Sequence, residues 1–215
     1  MTDDIRTHLA ALKLRNRIKS QASYRAALRA AVRALWSGVW DEAEFFSAFD
    51  QAIRREFKAA WLEGMKEAGL SAEDMTPAEQ VALAGMIAEE LGYIIPFMDR
   101  IIEGSKENGG KLEPHLSDVE LWVKRYLNLK NQALQMAQTD PTLEWTTHAN
   151  ESCTSCKKLN GQRRRASSWR RLGVRPQHPD LECMHSAGGP DVCQCELHVT
   201  KQPPTRGRLP KWRYS

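Results

Sequence analysis

The cysteines of this chain are confined to a short C-terminal stretch, which limits what that stretch can fold into. All five lie between residues 153 and 195 of the 215-residue sequence. Cys153 and Cys156 form a Cys-x-x-Cys pair, and three more cysteines follow. A pair with this spacing lets two sulfur atoms face one centre, and cysteines from a distant stretch can complete a tetrahedral zinc site.

The start of the sequence bears on the state of these thiols. "MTDDIRTHLA" begins with acidic residues and lacks the basic start and apolar run of a signal peptide. We therefore expect an intracellular protein with reduced thiols. In such a protein, clustered cysteines bind metal more often than they form disulfides.

The five sulfur atoms are one more than a structural zinc site needs. Cys183 could replace one of the closely spaced last two cysteines, and participation of His178 or His185 would alter the count. The preferred ligands are the first pair and the last pair of the cluster: Cys153, Cys156, Cys193 and Cys195.

Other roles for these cysteines remain open. They could be reduced and unliganded, or "CTSC" could be a redox motif, although thioredoxin-like motifs belong to a βαβ pattern that the sequence lacks. A catalytic zinc needs an open coordination position and a nearby general base, and neither is evident. We therefore predict a structural zinc in a protein that is not an enzyme and has no small-molecule substrate.

Residues 1–140 are predicted to be helical, because apolar residues recur there at three- and four-residue spacing. The first helix is predicted from about Asp3 to Trp40, with a possible break near residues 20–23. A capping box of Asp41 and Glu44 begins the second helix. "TPAEQ" begins a third helix, which is predicted to cross the middle of the core with a kink at Pro96. "SDVE" begins the fourth, which ends before Pro141.

The composition changes after Pro141, and we place a domain boundary there. Residues 141–200 are predicted to form a small irregular α+β domain stabilised by zinc, with strands at "LEWTT" and "CELHVT". Residues 201–215 resemble an extended basic, proline-rich tail. The predicted fold is thus mainly α, with a multi-helix N-terminal domain over 1–140. No stretch approaches 18–20 apolar residues, so no membrane span is predicted.

The positive charge is concentrated in the same C-terminal part. Residues 151–215 hold 13 lysines and arginines against five acidic residues, whereas residues 1–150 hold 18 against 22. Arginines near Trp169 could bind nucleic-acid phosphates or an acidic protein, although charge runs are also common on solvated surfaces. The candidate binding residues are Arg163, Arg164, Arg165, Arg170, Arg171 and Arg175.

Three ordered stretches, "LEWTTHANESCTSCKKLNGQ", "SSWRRLGVRPQHPDLEC" and "GGPDVCQCELHVT", resemble the C-terminal segment of tailed-phage minor head proteins of the Mu-type head-morphogenesis family. The resemblance covers about residues 120–200. Two features depart from the family pattern: the extra Cys183, and "GGPDVCQC" in place of a His-Pro-Asn-Cys-Arg-Cys ending. The matching positions are Trp145, Cys153, Cys156, Leu159, Gly161, Pro176, Cys193 and Cys195.

The resemblance implies a component of the virion or procapsid, present in few copies near the portal vertex. Its implied partners are phage portal and capsid proteins, and DNA is a possible partner. The implied role is in head assembly, DNA packaging or DNA ejection. Two alternatives are a zinc-ribbon-like nucleic-acid-binding regulator and a thiol redox enzyme.

Overall fold

The computed structural model describes residues 21–147, 152–178, 180–184 and 195–213. The described chain is mainly helical with a small antiparallel sheet, which confirms the predicted mainly α class. It forms two compact units. The first contains the described residues up to Glu56 together with Ile87–Val123, and the second contains Phe57–Met86 together with the described residues from Lys124 onwards.

The described chain contains seven helices and three strands, in the following order. Helix α1 covers 21–36 within the described residues. The remaining elements are α2 (Glu42–Glu67), a 3-10 turn (Ala72–Asp74), α3 (Pro77–Leu91), α4 (Ile94–Glu103), α5 (Glu113–Met136), β1 (Thr142–Thr146), α6 (Thr154–Leu159), β2 (Arg163–Arg165), α7 (Ala166–Leu172), a second 3-10 turn (Glu182–Met184) and β3 (Glu196–Val199).

Two helix starts were predicted correctly. The Asp41 amide donates to Glu44 Oε2 at 3.0 Å, and the Glu44 amide donates to Asp41 Oδ1 at 2.8 Å. The Thr76 amide donates to Glu79 Oε2 at 2.8 Å, and the Glu79 amide donates to Thr76 Oγ1 at 3.3 Å. Both capping boxes satisfy amides that the first helical turn leaves without intrahelical partners.

Other predicted boundaries differ from the structure. Helix α1 ends at residue 36 rather than at Trp40, and its predicted start lies outside the described residues. Helix α5 begins at Glu113, before the predicted "SDVE" start. Pro114 then lies in the first turn, where the missing amide would have no intrahelical partner in any case.

The predicted third helix, kinked at Pro96, is in fact two helices. Helix α3 ends at Leu91 and α4 begins at Ile94, so the interruption precedes Pro96, which lies in the first turn of α4. Two apolar residues of this stretch, Val81 and Ile95, are 73% and 54% exposed. The expectation that this stretch crosses the middle of the core is therefore wrong for much of its length.

The stretch Pro77–Glu103 is more apolar than the sequence analysis predicted. An 18-residue window within it has a mean hydropathy of 1.5, and 28% of that window is buried. By length and composition alone the stretch could cross a membrane. The sequence-based prediction that no stretch is long and apolar enough to span a membrane is therefore wrong for Pro77–Glu103.

The first unit is organised around a cluster of aromatic side chains. Phe45 and Phe49 of α2 lie with their ring centroids 4.8 Å apart. Phe97 of α4 and Trp122 of α5 also have their centroids 4.8 Å apart, and Phe49 meets Trp122 edge to face at 5.2 Å. Aromatic pairs at these distances stabilise a core beyond the effect of their buried area.

The second unit contains a three-stranded sheet in the order β2-β1-β3, with both pairings antiparallel. Strands β1 and β3 confirm the two predicted strands, whereas β2, α6 and α7 lie in sequence that was predicted to be irregular. Trp145 and Trp169 are fully buried in the core beneath the sheet. The same core cluster includes Leu134 of α5 and two residues that directly follow helices, Ala68 after α2 and Ala137 after α5. The division between units therefore does not coincide with the boundary predicted at 141.

The tail is extended, as predicted, but it is fixed to the second unit. Residues 201–213 contain no helix or strand. The Thr205 amide nevertheless donates to the Arg163 carbonyl at 2.9 Å, and Trp212 is buried in the core cluster. The tail thus covers β2, which is an edge strand of the sheet.

Replacement of Gly64 by alanine is expected to destabilise the second unit. A Cβ atom at Gly64 would lie 2.6 Å from the Lys130 carbonyl oxygen and 2.8 Å from the Ala133 Cβ, because α2 and α5 pack closely there. Overpacking of this kind costs about 1–3 kcal/mol, which denaturant unfolding would measure.

The matched control is Gly85→Ala in α3, where a Cβ would meet nothing within 4 Å. Removing a glycine from an open helical position is expected to stabilise the protein by about 0.5–1 kcal/mol. If the two substitutions changed the free energy of unfolding equally, close helix packing at Gly64 would not be the cause of the destabilisation.

Candidate metal centre

The Cys-x-x-Cys segment forms the start of helix α6. Cys153 occupies the N-cap position, and its Sγ atom accepts a hydrogen bond from the Cys156 amide at 3.4 Å. An N-cap side chain that accepts from the third helical residue is the usual way to satisfy that amide. The turn therefore brings the two sulfur atoms to the same side of the backbone.

Cys183 reaches the same place from the second 3-10 turn. Two hydrogen bonds join that turn to α6: the Thr154 amide donates to Glu182 Oε2 at 2.6 Å, and the Glu182 amide donates to Ser155 Oγ at 3.2 Å. As a result, the Sγ atoms of Cys153, Cys156 and Cys183 all lie within 4.8 Å of one another. Within the described residues this is the group of side chains that could hold a metal ion.

The geometry and chemistry of these thiols fit a zinc ion. Zinc–sulfur bonds of about 2.3 Å in a tetrahedral site place the sulfur atoms about 3.8 Å apart. Cys156 and Cys183 are each 1% exposed, and an amide hydrogen bond already reaches the Cys153 sulfur. Hydrogen bonds of this kind orient metal-bound thiolates. Three sulfur atoms that could bind a metal ion lie together, and a fourth ligand would complete a tetrahedral structural site.

The structure groups the predicted ligands differently from the preferred set. Cys183, named as a replacement, joins Cys153 and Cys156. Cys195, just before β3, is not a member of the group, although it lies in the same buried core cluster as Cys156 and Cys183. Cys193 and His185 lie outside the described residues.

His178, the other histidine that could be a ligand, has polar and aromatic neighbours of its own. His178 Nδ1 accepts from the Asp180 amide at 3.1 Å, and its ring meets Trp212 edge to face at 5.6 Å. Burial lowers the pKa of His178, which favours a neutral ring. None of the four cysteines in the described part of the chain forms a disulfide.

The six candidate arginines divide into buried and exposed groups. Arg164 is buried, and its guanidinium donates to the carbonyl oxygens of Arg163, Thr205 and Gly207. It therefore binds the tail and is not available to a partner. The exposed members are Arg165, Arg170 and Arg171, whereas Arg163 and Arg175 are half-buried.

A second charged cluster in this unit was not predicted. Lys130 is 3% exposed, and its Nζ atom lies 2.8 Å from Glu67, 3.5 Å from Glu196 and 3.6 Å from Glu63. Burial by itself raises the pKa of Glu67, but a hydrogen bond from His198 and the charge of Lys130 outweigh burial and lower it to about 2. The cluster connects α2 and α5 to β3.

Comparison of the chain with protein-family models, with curated proteins and with solved structures gives no match.

Proposed function

We propose that this chain is a non-enzymatic minor head protein of a tailed phage. It would be located in the virion near the portal vertex, after assembly in the host cytoplasm. Its binding to portal and capsid proteins would assist head assembly, DNA packaging or DNA ejection. The proposal starts from the resemblance over about residues 120–200.

One observation carries the proposal beyond that resemblance: the described parts of its three separate stretches fold together. Leu143 of β1, from the first stretch, pairs with Val199 of β3, from the last. Trp169, from the middle stretch, donates its indole N–H to the Leu143 carbonyl at 3.1 Å. The resemblance therefore corresponds to one structural module and not to scattered cysteines.

In this module the metal would have a structural role. Thiolates of Cys153, Cys156 and Cys183 would hold a zinc ion and join α6 to the second 3-10 turn. Both segments carry residues of the core cluster, including Leu159 and Leu181. The proposed zinc would thus keep a loop-rich module folded while its surface binds partners.

The proposal is tested in particles of the phage whose genome encodes the chain. Mass spectrometry of purified virions is expected to find the chain at low copy number. A nonsense mutation at Gln51 is expected to reduce the yield of infectious particles, with restoration by a plasmid-borne copy. A chain absent from virions, with an unchanged yield in the nonsense mutant, would contradict the proposal.

The second candidate is a zinc-ribbon-like nucleic-acid-binding regulator, which the exposed arginines beside the cysteine group favour. A regulator must select its site, and one good base contact gives about 1–3 kcal/mol of discrimination. Preference for one DNA sequence by tenfold or more, in a chain that is absent from virions, would favour this candidate.

A further inference from the structure

In the described part of residues 152–213, the exposed charge is of one sign, since every exposed charged residue there is basic. Asp180 and Glu182 are half-buried, and Glu196 is buried. The ten exposed basic residues are Lys157, Lys158, Arg165, Arg170, Arg171, Lys201, Arg206, Arg208, Lys211 and Arg213.

Half of these basic residues lie on the tail, and the tail is held in place. Arg164 donates to two tail carbonyls, those of Thr205 and Gly207, and Thr205 is also hydrogen-bonded to Arg163. Further along, Trp212 is buried and contacts the ring of His178, in the loop after α7. The tail therefore runs from the edge of β2 to that loop, beside the segment that carries the exposed arginines of α7.

Arg164 is thus a positioning residue, since it fastens the tail without being exposed itself. Its own charge is used on backbone carbonyls. The neighbouring tail residues Arg206 and Arg208 are exposed on either side of Gly207. Arg213 lies 3.3 Å from Asp180, so it is partly neutralised.

We infer that the tail and the exposed basic residues of α6 and α7 form a surface that binds the phosphate backbone of duplex DNA without sequence preference. The inference deepens the DNA-related role of the proposed function, and it adds the tail to the arginines that the sequence singled out. It does not depend on location in a virion.

The composition of the surface distinguishes duplex DNA from an acidic protein. Protein interfaces usually have an apolar centre with aromatic anchors. Here the exposed large apolar residues of 152–213 are Leu172 and Val199 alone, in the described part of the chain. A surface whose exposed charged side chains are all arginine or lysine matches the phosphate contacts that dominate non-specific DNA binding.

The aromatic residues distinguish duplex from single-stranded nucleic acid. Proteins that bind single strands stack bases on exposed aromatic side chains. Trp145, Trp169 and Trp212 are all buried, and no described aromatic residue of 152–213 is exposed. The surface can therefore neutralise phosphates but offers no platform for unpaired bases.

The test compares two charge-reversal variants of the full chain by fluorescence anisotropy with a short duplex DNA. R206E/R208E is expected to weaken binding by about tenfold or more. The slope of log K against log salt should fall by about 0.9 for each lost phosphate contact. K106E/K111E, which makes the same charge change at exposed lysines of the loop before α5, should leave both values unchanged.

Arg164→Gln provides an independent readout. It removes no exposed charge, yet it should weaken DNA binding because the tail loses its anchor. The circular dichroism spectrum should remain helical, since the guanidinium donates its hydrogen bonds to carbonyls of β2 and the tail, outside α1 to α5. Equal weakening by R206E/R208E and K106E/K111E would overturn the inference.

Two further outcomes would also overturn it: no binding to duplex DNA at about 50 mM salt, or tighter binding to poly-L-glutamate than to the duplex. The second outcome would assign the surface to an acidic protein partner. Neither outcome would affect the virion measurement, so failure of this inference and failure of the proposed function are distinguishable.

Discussion

Cys183→Ser is expected to abolish stoichiometric zinc binding and to unfold the second unit. The chain purified under reducing conditions should contain close to one zinc ion, because three thiols already lie within 4.8 Å of one another. Structural zinc contributes about 10–16 kcal/mol of apparent binding free energy in small zinc domains, which is as large as the total stability of a typical domain. Metal analysis by mass spectrometry and thermal unfolding would measure the two effects.

Cys195→Ala is the matched control for this prediction. Cys195 is buried like Cys183 but lies outside the group of three, so its replacement should leave the zinc content unchanged. The two variants also separate the sequence-based ligand set from the grouping in the structure. If Cys195→Ala lost the metal while Cys183→Ser retained it, the structural grouping would be wrong and the sequence-based preference would be favoured.

Lys130→Met is expected to destabilise the second unit by about 3–5 kcal/mol at neutral pH. The lysine is almost fully buried among Glu63, Glu67 and Glu196, and its removal would leave carboxylates without their common counter-charge. Denaturant unfolding would measure the change. Lys66→Met on the exposed side of α2 is the control and should change the free energy of unfolding by less than about 0.5 kcal/mol.

The pH dependence of the same variant identifies the cause. The folded-state pKa of Glu67, about 2, lies below its ordinary value of 4.5. Its contribution to stability is therefore present above pH 4.5 and is lost as the pH falls towards 2. Because protonated carboxyls need no counter-charge, Lys130→Met should lower the free energy of unfolding by less near pH 3 than near pH 7. The same cost at both pH values would indicate lost packing and not lost charge.

The features predicted correctly are those that neighbouring residues determine. The capping boxes at Asp41 and Thr76 depend on side chains three residues apart, and both form. The apolar stripe of α2 likewise follows from helical spacing, and Phe45, Phe49 and Trp61 are fully buried.

The features that no local pattern determines depend on residues far apart in sequence. The approach of Cys183 to the Cys-x-x-Cys pair depends on hydrogen bonds such as that from the Thr154 amide to Glu182, which joins residues 28 positions apart. Lys130 resembles a solvated lysine until β3 brings Glu196 against it. No local pattern in the sequence reports either event.

Arg164 is an intermediate case. Strand β2 alternates half-buried, buried and exposed positions along its three arginines, as any strand alternates its faces. This alternation distinguishes Arg164 from Arg163 and Arg165. The burial of Arg164 could have been predicted from this alternation only if the strand itself had been predicted. Three arginines in succession have no apolar pattern that indicates a strand.

The burial of Trp212 has a consequence for folding during synthesis. Its side chain completes a core whose other members begin near Ala68, so this core cannot close until the ribosome has released almost all of the described chain. Until then the core lacks the side chain of Trp212, and apolar surface that stays exposed during synthesis favours aggregation. The three grouped thiols are all synthesised before β3, so a metal ion bound to them would hold the nascent loops together during this interval.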